Sequence, residues 1–85
     1  MSAFIVGETV IAKRRMVFSG PAYGRGPGDE VVEAGSIGRV TMIPYDTNQS
    51  GLYYHVIFKG EDIRRICDAD DIRHGTVLDQ MVLEA

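Results

Sequence analysis

Short runs of β-branched and aromatic residues, separated by turns that contain glycine, are the feature that most limits how this chain can fold. The strongest run spans residues 52–59, and in it Tyr54, Val56 and Phe58 alternate with residues that point to the opposite face. We therefore predict a β-strand here, with those three side chains on one face and Tyr53, His55 and Ile57 on the other.

Further runs of the same kind predict strands over residues 9–13, 31–32, 36–43 and 63–67. Whether the first of them continues through Phe18 is left open. Within the run 36–43, period-two alternation predicts that Gly38, Val40 and Met42 share one face of the sheet. Together with 52–59, these segments give about five strands.

The connecting segments and the tail have a different composition. Residues 19–29 hold four glycines and two prolines and predict an irregular loop, and residues 45–51 predict a polar hairpin loop. Residues 68–72 predict a one-turn helix. The remaining stretch, 73–85, reads as a C-terminal extension, in which Thr76 and Asp79 have the spacing of a helix cap. Its apolar residues fit a helix or a short closing strand, and both stay open.

The order of these elements predicts a fold class. A long first loop is followed by a three-strand meander and then by a one-turn helix, which is the order found in small SH3-like barrels. We predict one all-β domain over residues 1–85. A chain of 85 residues buries only about 60–65% of the surface that its unfolded form exposes, so a deep substrate pocket would be hard to build.

Charge and composition exclude several classes of partner. Twelve acidic against nine Lys and Arg residues give a net charge of −3, which opposes binding driven by phosphate neutralisation. No apolar stretch approaches the ~18–20 residues that span a bilayer, and the first residues lack the pattern of a secretory signal. Cys67 is the single cysteine, so an intramolecular disulfide is excluded. We expect a cytoplasmic protein with neither nucleic acid nor membrane as its partner. The sequence indicates no oligomeric state.

Catalytic and metal-binding signals are weak. Nucleophilic catalysis would have to draw on Cys67, His55 and His74, for which packing or solvation is the expected role. The segment 67–74 (C-D-A-D-D-I-R-H) combines a thiol, carboxylates and an imidazole, but its spacing matches no established metal site. We expect its acids to cap the one-turn helix, and we predict no catalytic residue, no metal and no cofactor.

Basic residues accompany the first and fourth of the main predicted strands, and they would form a patch for an acidic partner if those strands came together. The long glycine loop is a second candidate docking element, because such loops often carry function. The alternative is that these are ordinary solvated side chains. The candidate partner-binding residues are Arg14, Arg15, Tyr23, Arg25, Arg64, Arg65 and Cys67.

The order of several short motifs resembles the NifZ family of nitrogen-fixation accessory proteins over roughly residues 4–72. The residues that carry the resemblance are Phe4, Gly7-Glu8, Val10, Arg14, Gly28-Asp29, Gly35 to Val40, Tyr54 to Phe58 and Cys67. The loop 43–51 and the tail from Arg73 depart from the family pattern. The resemblance implies an SH3-like barrel that acts without catalysis, as a chaperone-like factor in maturing the metal clusters of the nitrogenase molybdenum–iron protein. It supplies no catalytic residue, and Cys67 matches a recurring family cysteine.

Two other functions stay open. The chain could be an SH3-like barrel subunit of a redox or electron-transfer enzyme, which would co-purify with its catalytic subunit in constant stoichiometry. A nucleic-acid-binding barrel is the third hypothesis, and it would need a local basic face because the net charge opposes it.

Overall fold

A computed structural model of the chain describes residues 4–18, 30–43, 53–62 and 64–85. The predicted loops at 19–29 and 45–51 lie outside the described residues, as do the candidate partner-binding residues Tyr23 and Arg25.

The described part of the chain is built mainly from short strands. A 3₁₀ turn at Ala69–Asp71 joins the last two strands, and one helix, α1 (Val77–Glu84), follows them. The strands are β1 (Thr9–Ala12), β2 (Met16–Phe18), β3 (Glu30–Val32), β4 (Ile37–Met42), β5 (Tyr53–Phe58), β6 (Arg65–Asp68) and β7 (Ile72–His74).

Five of the strands form one antiparallel sheet in the order β6-β5-β4-β1-β7, while β2 and β3 form a separate hairpin. The sheet curls into a half-barrel, so the predicted all-β class is confirmed. The hairpin after β1, the meander β4 to β6 and the 3₁₀ turn before β7 follow the element order predicted for an SH3-like barrel. β2 is a strand of its own and not a continuation of β1, because it pairs with β3 outside the main sheet.

The core lies on the concave face of the sheet and matches the predicted alternation of β5. Tyr54, Val56 and Phe58 are 0%, 0% and 2% exposed, and Tyr54 also packs edge-on against Phe4 with ring centroids 5.0 Å apart. Phe4 reaches this position because the segment before β1 is tied to β4 by a hydrogen bond of 2.8 Å from Gly7 N to the Val40 carbonyl oxygen. Phe4 is therefore part of the core, whereas Ile5 and Val6, which follow it, are 68% and 58% exposed.

The far end of β4 departs from simple alternation. Gly38 and Val40 lie on the same face, as predicted, and that face is buried, but Met42 is 44% exposed and Ile43 packs against the core in its place. The register with β5 shifts between Val40 and Met42, as in a β-bulge. One extra residue in one strand moves the following side chains to the opposite face, so the predicted position of Met42 was wrong.

The tail, for which helix and strand were both open, forms a helix. Thr76 Oγ1 accepts a hydrogen bond from Asp79 N at 3.2 Å, and Asp79 Oδ2 accepts one from Thr76 N at 2.7 Å, which completes a capping box. Arg73 and His74, the first residues of the predicted extension, belong to β7, where His74 lies opposite Val10 of β1.

Candidate functional site

The predicted basic patch is dispersed in the fold. β4 and β5 lie between β1 and β6 in the sheet, so the two strands that the basic segments accompany do not pair. Arg14 forms an ion pair with Asp71, and Arg15 lies 3.7 Å from a Glu33 carboxylate oxygen. Each of these two arginines is therefore opposed by a carboxylate, which weakens the positive potential that a patch would need.

Arg65 is buried, although it was a candidate surface residue. It is 1% exposed, and its Nε and Nη2 atoms donate to the two carboxylate oxygens of Glu61 at 3.2 and 3.0 Å. Its guanidinium carbon also lies 5.1 Å from the ring centroid of Phe18, in cation–π distance. Alternation along β6 directs Arg65 and Cys67 inward and Ile66 outward. Arg65 thus holds β6 to the end of β2, while its neighbour Arg64 remains at the surface.

The thiol of Cys67 is fully buried. Burial raises the pKa of Cys67 to about 12, with a further increase from the nearby Asp71 carboxylate and a smaller opposing effect of Arg65. The thiolate is the reactive form of cysteine, so in this fold Cys67 is both covered and protonated at neutral pH.

The acids that follow Cys67 cap the 3₁₀ turn. Asp68 Oδ1 accepts from Asp70 N at 2.9 Å, and Asp71 Oδ2 accepts from Asp68 N at 3.3 Å. His74, at the end of the same segment, pairs with Glu8. Among the described residues there is no group of three or more His, Cys, Asp or Glu side chains placed to hold a metal ion.

Helix α1 presents an apolar face to solvent. Val77, Leu78, Met81 and Val82 are between 48% and 75% exposed. At about 100° per residue they fall within an arc of about 140° on one side of the helix. Leu83 lies outside this arc and is half-buried, in the part of α1 that lines the groove with β4 and β5. We call the four exposed side chains the α1 face.

A groove of about 710 Å³ lies between the C-terminal end of α1 and the outer surface of β4 and β5. Ile57 and Leu83 contribute its apolar lining, and Arg39, Lys59 and Glu84 contribute charged side chains. The Lys59 ammonium group donates to the backbone oxygen atoms of Val82 at 2.7 Å and Ala85 at 3.3 Å, and so anchors the end of the helix to β5.

Two buried nitrogen atoms on this outer surface have no hydrogen-bond partner within the described part of the chain. One is Arg39 Nε, and the other is Nδ1 of His55, two residues before Ile57 on β5. Burial and the nearby Arg64 guanidinium lower the pKa of His55, so its ring is neutral at pH 7. Arg39 Nη2 lies 3.9 Å from a Glu84 carboxylate oxygen, at the outer limit of an ion pair. Most buried donors in proteins have a hydrogen-bond partner. Arg39 Nε has none among the described residues, so the guanidinium has donors that are not used within this part of the chain.

Sequence reasoning found the spacing of the α1 face but did not anticipate that these side chains point to solvent, because apolar residues at helical spacing usually mark a buried face. Arg39 and Lys59 were missed altogether. No local signal identifies them, because the groove exists only where α1 returns over β4 and β5.

No family model, curated protein or solved structure matches the chain. Within the described ranges, no helix combines the length and the apolar character required to cross a membrane.

Proposed function

We propose that this chain is a non-catalytic, cytoplasmic accessory protein that binds a larger protein client in a chaperone-like manner. The observation that carries the proposal is the α1 face, which places four large apolar side chains in water on a small, well-packed fold. Contiguous apolar side chains on a surface are a common mark of a protein-binding site. The resemblance to the NifZ family suggests the client, a nitrogenase molybdenum–iron protein during the maturation of its metal clusters.

The size of the α1 face suits a reversible contact. Complete burial of a Val, Leu or Met side chain stabilises by about 1.5–3 kcal/mol, and part of each side chain is already covered. Scaled by their exposed fractions, the four side chains contribute about 4–8 kcal/mol, against an association cost of about 4–15 kcal/mol. The α1 face alone would hold a client weakly, so a further contact is needed. Weak, composite binding is appropriate for a factor that leaves its client after maturation.

The chemistry of Cys67 supports a packing role in this proposal. A client cluster would need a thiolate at the surface, whereas Cys67 is buried with a raised pKa. We therefore assign client binding to the surface of the barrel and leave Cys67 in the core.

The test combines association with the state of the client. The tagged full chain is purified from nitrogen-fixing cells in which the client is either cluster-deficient or mature, and molybdenum and iron in the client are measured with and without this chain. We expect the cluster-deficient client to co-purify and the mature client not to, and we expect a lower metal content when the chain is deleted. Normal metal content without any association would refute the proposal. Constant stoichiometric co-purification with a mature redox enzyme would instead favour the role of an enzyme subunit.

A further inference from the structure

We propose that the groove between β4, β5 and the end of α1 binds a short peptide segment of the partner. An Asp or Glu carboxylate of that segment would accept hydrogen bonds from the Arg39 guanidinium. This inference rests on the proposed function, since it assumes a protein partner, and it supplies the second contact that the α1 face requires.

Arg39 has the donors for such a carboxylate. Its buried Nε finds no acceptor among the described residues, and the 3.9 Å separation of Nη2 from Glu84 exceeds hydrogen-bond distance. A guanidinium can donate two parallel hydrogen bonds to one carboxylate, and such charge-assisted pairs are stronger than neutral ones. Because Nε itself is covered, an incoming carboxylate would have to be received at the terminal Nη atoms of this side chain, which is 42% exposed.

The surroundings of Arg39 favour a peptide side chain over an isolated anion. Ile57 is the direct cross-strand partner of Arg39, and Leu83 faces the same groove from α1, so an apolar neighbour of the bound carboxylate would have a surface to pack on. The groove volume of about 710 Å³ lies within the range of pockets that take small ligands and short segments.

The remaining charges of the groove fit this assignment. Lys59 adds positive charge and is held in place by the backbone oxygen atoms at the end of α1. Glu61 also lines the groove, but both of its carboxylate oxygens accept hydrogen bonds from Arg65. Glu84 is the one groove carboxylate beside Arg39, and it would compete with the ligand for the guanidinium.

The first test uses two uncharged-ended peptides that differ in one group, acetyl-Leu-Glu-Leu-amide and acetyl-Leu-Gln-Leu-amide. Each is titrated into the ¹⁵N-labelled full chain, and the Arg39 Nε–H signal and the backbone amides of Ile57 and Leu83 are followed by NMR. We expect saturable shifts with the Glu peptide and at least about tenfold weaker binding of the Gln peptide, because a hydrogen bond to a charged group is lost. Equal affinities for the two peptides, or an unmoved Arg39 signal, would overturn the proposal.

The second test measures the affinity for the Glu peptide in two variants that should change it in opposite directions. Arg39→Gln should abolish the preference for the Glu peptide, whereas Glu84→Gln should strengthen its binding by removing the competing carboxylate. Arg73→Gln is the matched control, because Arg73 is an exposed arginine on β7 outside the groove, and it should bind like the parent chain. Weaker binding by Glu84→Gln would contradict the proposal even if Arg39→Gln disturbed the fold.

These experiments distinguish a failure of the groove assignment from a failure of the proposed function. If the client associates while the Glu peptide leaves the Arg39 signal unchanged, the groove assignment is wrong and the accessory role stands. If the Glu peptide binds at Arg39 and no client associates, the groove assignment stands and the proposed client is wrong.

Discussion

The burial of Cys67 predicts that its thiol is almost inert in the native protein. With its pKa raised to about 12, only about 10⁻⁴ of the thiol is ionised at pH 8. An exposed cysteine of ordinary pKa, ~8.5, is about one-quarter ionised at that pH. Since the thiolate is the nucleophile, ionisation alone slows the reaction by about 2,000-fold, and the lack of solvent access slows it further.

The assay compares the reaction of Cys67 with a disulfide reagent at pH 8 in native buffer and in guanidinium chloride, by the absorbance of the released thiolate. We expect one thiol to react rapidly in the unfolded chain and a native rate that is lower by at least about three orders of magnitude. A native rate within tenfold of the unfolded rate would refute the reasoning, because it would require an exposed, ionisable Cys67. That result would also restore Cys67 as a surface residue that can meet a client cluster.

The same shift predicts a pH dependence of stability. Because the pKa of Cys67 is higher in the folded state than in the unfolded chain, its contribution to stability is complete below the pKa of a free thiol, ~8.5, and is lost as the pH rises towards about 12. Denaturation between pH 8 and 11 should therefore show a steeper alkaline loss in the parent chain than in Cys67→Ala. Equal slopes for the two proteins would contradict the assigned shift.

Three further substitutions test the packing around the candidate site. Gly38→Ala should destabilise the fold by about 1–3 kcal/mol in chemical denaturation, because the added Cβ would lie 2.9 Å from the Phe58 ring and equally close to backbone; an unchanged midpoint would show that β4 can shift. Thr76→Ala should increase hydrogen exchange within α1, at a cost of about 1 kcal/mol to the helix, with little effect on the sheet; unaltered exchange would argue against the capping box. Glu61→Gln should cost about 2 kcal/mol, less than the ~3–5 kcal/mol of a fully buried pair because Glu61 keeps some solvent contact; the absence of any loss would show that Arg65 does not depend on this carboxylate.

The sequence predicts the parts of the fold that depend on local pattern. The alternation in β5 places Tyr54, Val56 and Phe58 on one face, which the structure shows to be the buried one, and the acids after Cys67 mark the 3₁₀ turn. These signals are reliable because each strand or turn carries its own periodicity or cap. The all-β class follows from the order of such segments.

The remaining features depend on contacts between distant segments. Met42 leaves the core face because of a bulge, and no residue type in β4 announces it. Arg65 is buried because its side chain contacts Glu61 and Phe18. In the sequence it stands next to Arg64, and such a pair of arginines is typical of a surface position. The groove at Arg39 likewise depends on the direction that α1 takes after β7. Tertiary context decides all three positions.

Binding of the client by the α1 face can be measured by calorimetric titration of the full chain into purified, cluster-deficient molybdenum–iron protein. Leu78→Ala/Met81→Ala removes the two largest side chains of the face, while Val17→Ala, an exposed apolar residue on β2 outside α1 and the groove, serves as the control. Since Leu78 and Met81 are 72% and 63% exposed, the double variant should keep its denaturation midpoint. We predict that it binds at least about tenfold more weakly than the parent chain and that the control binds normally. Equal affinities of the parent chain and a folded double variant would show that the α1 face does not bind the client.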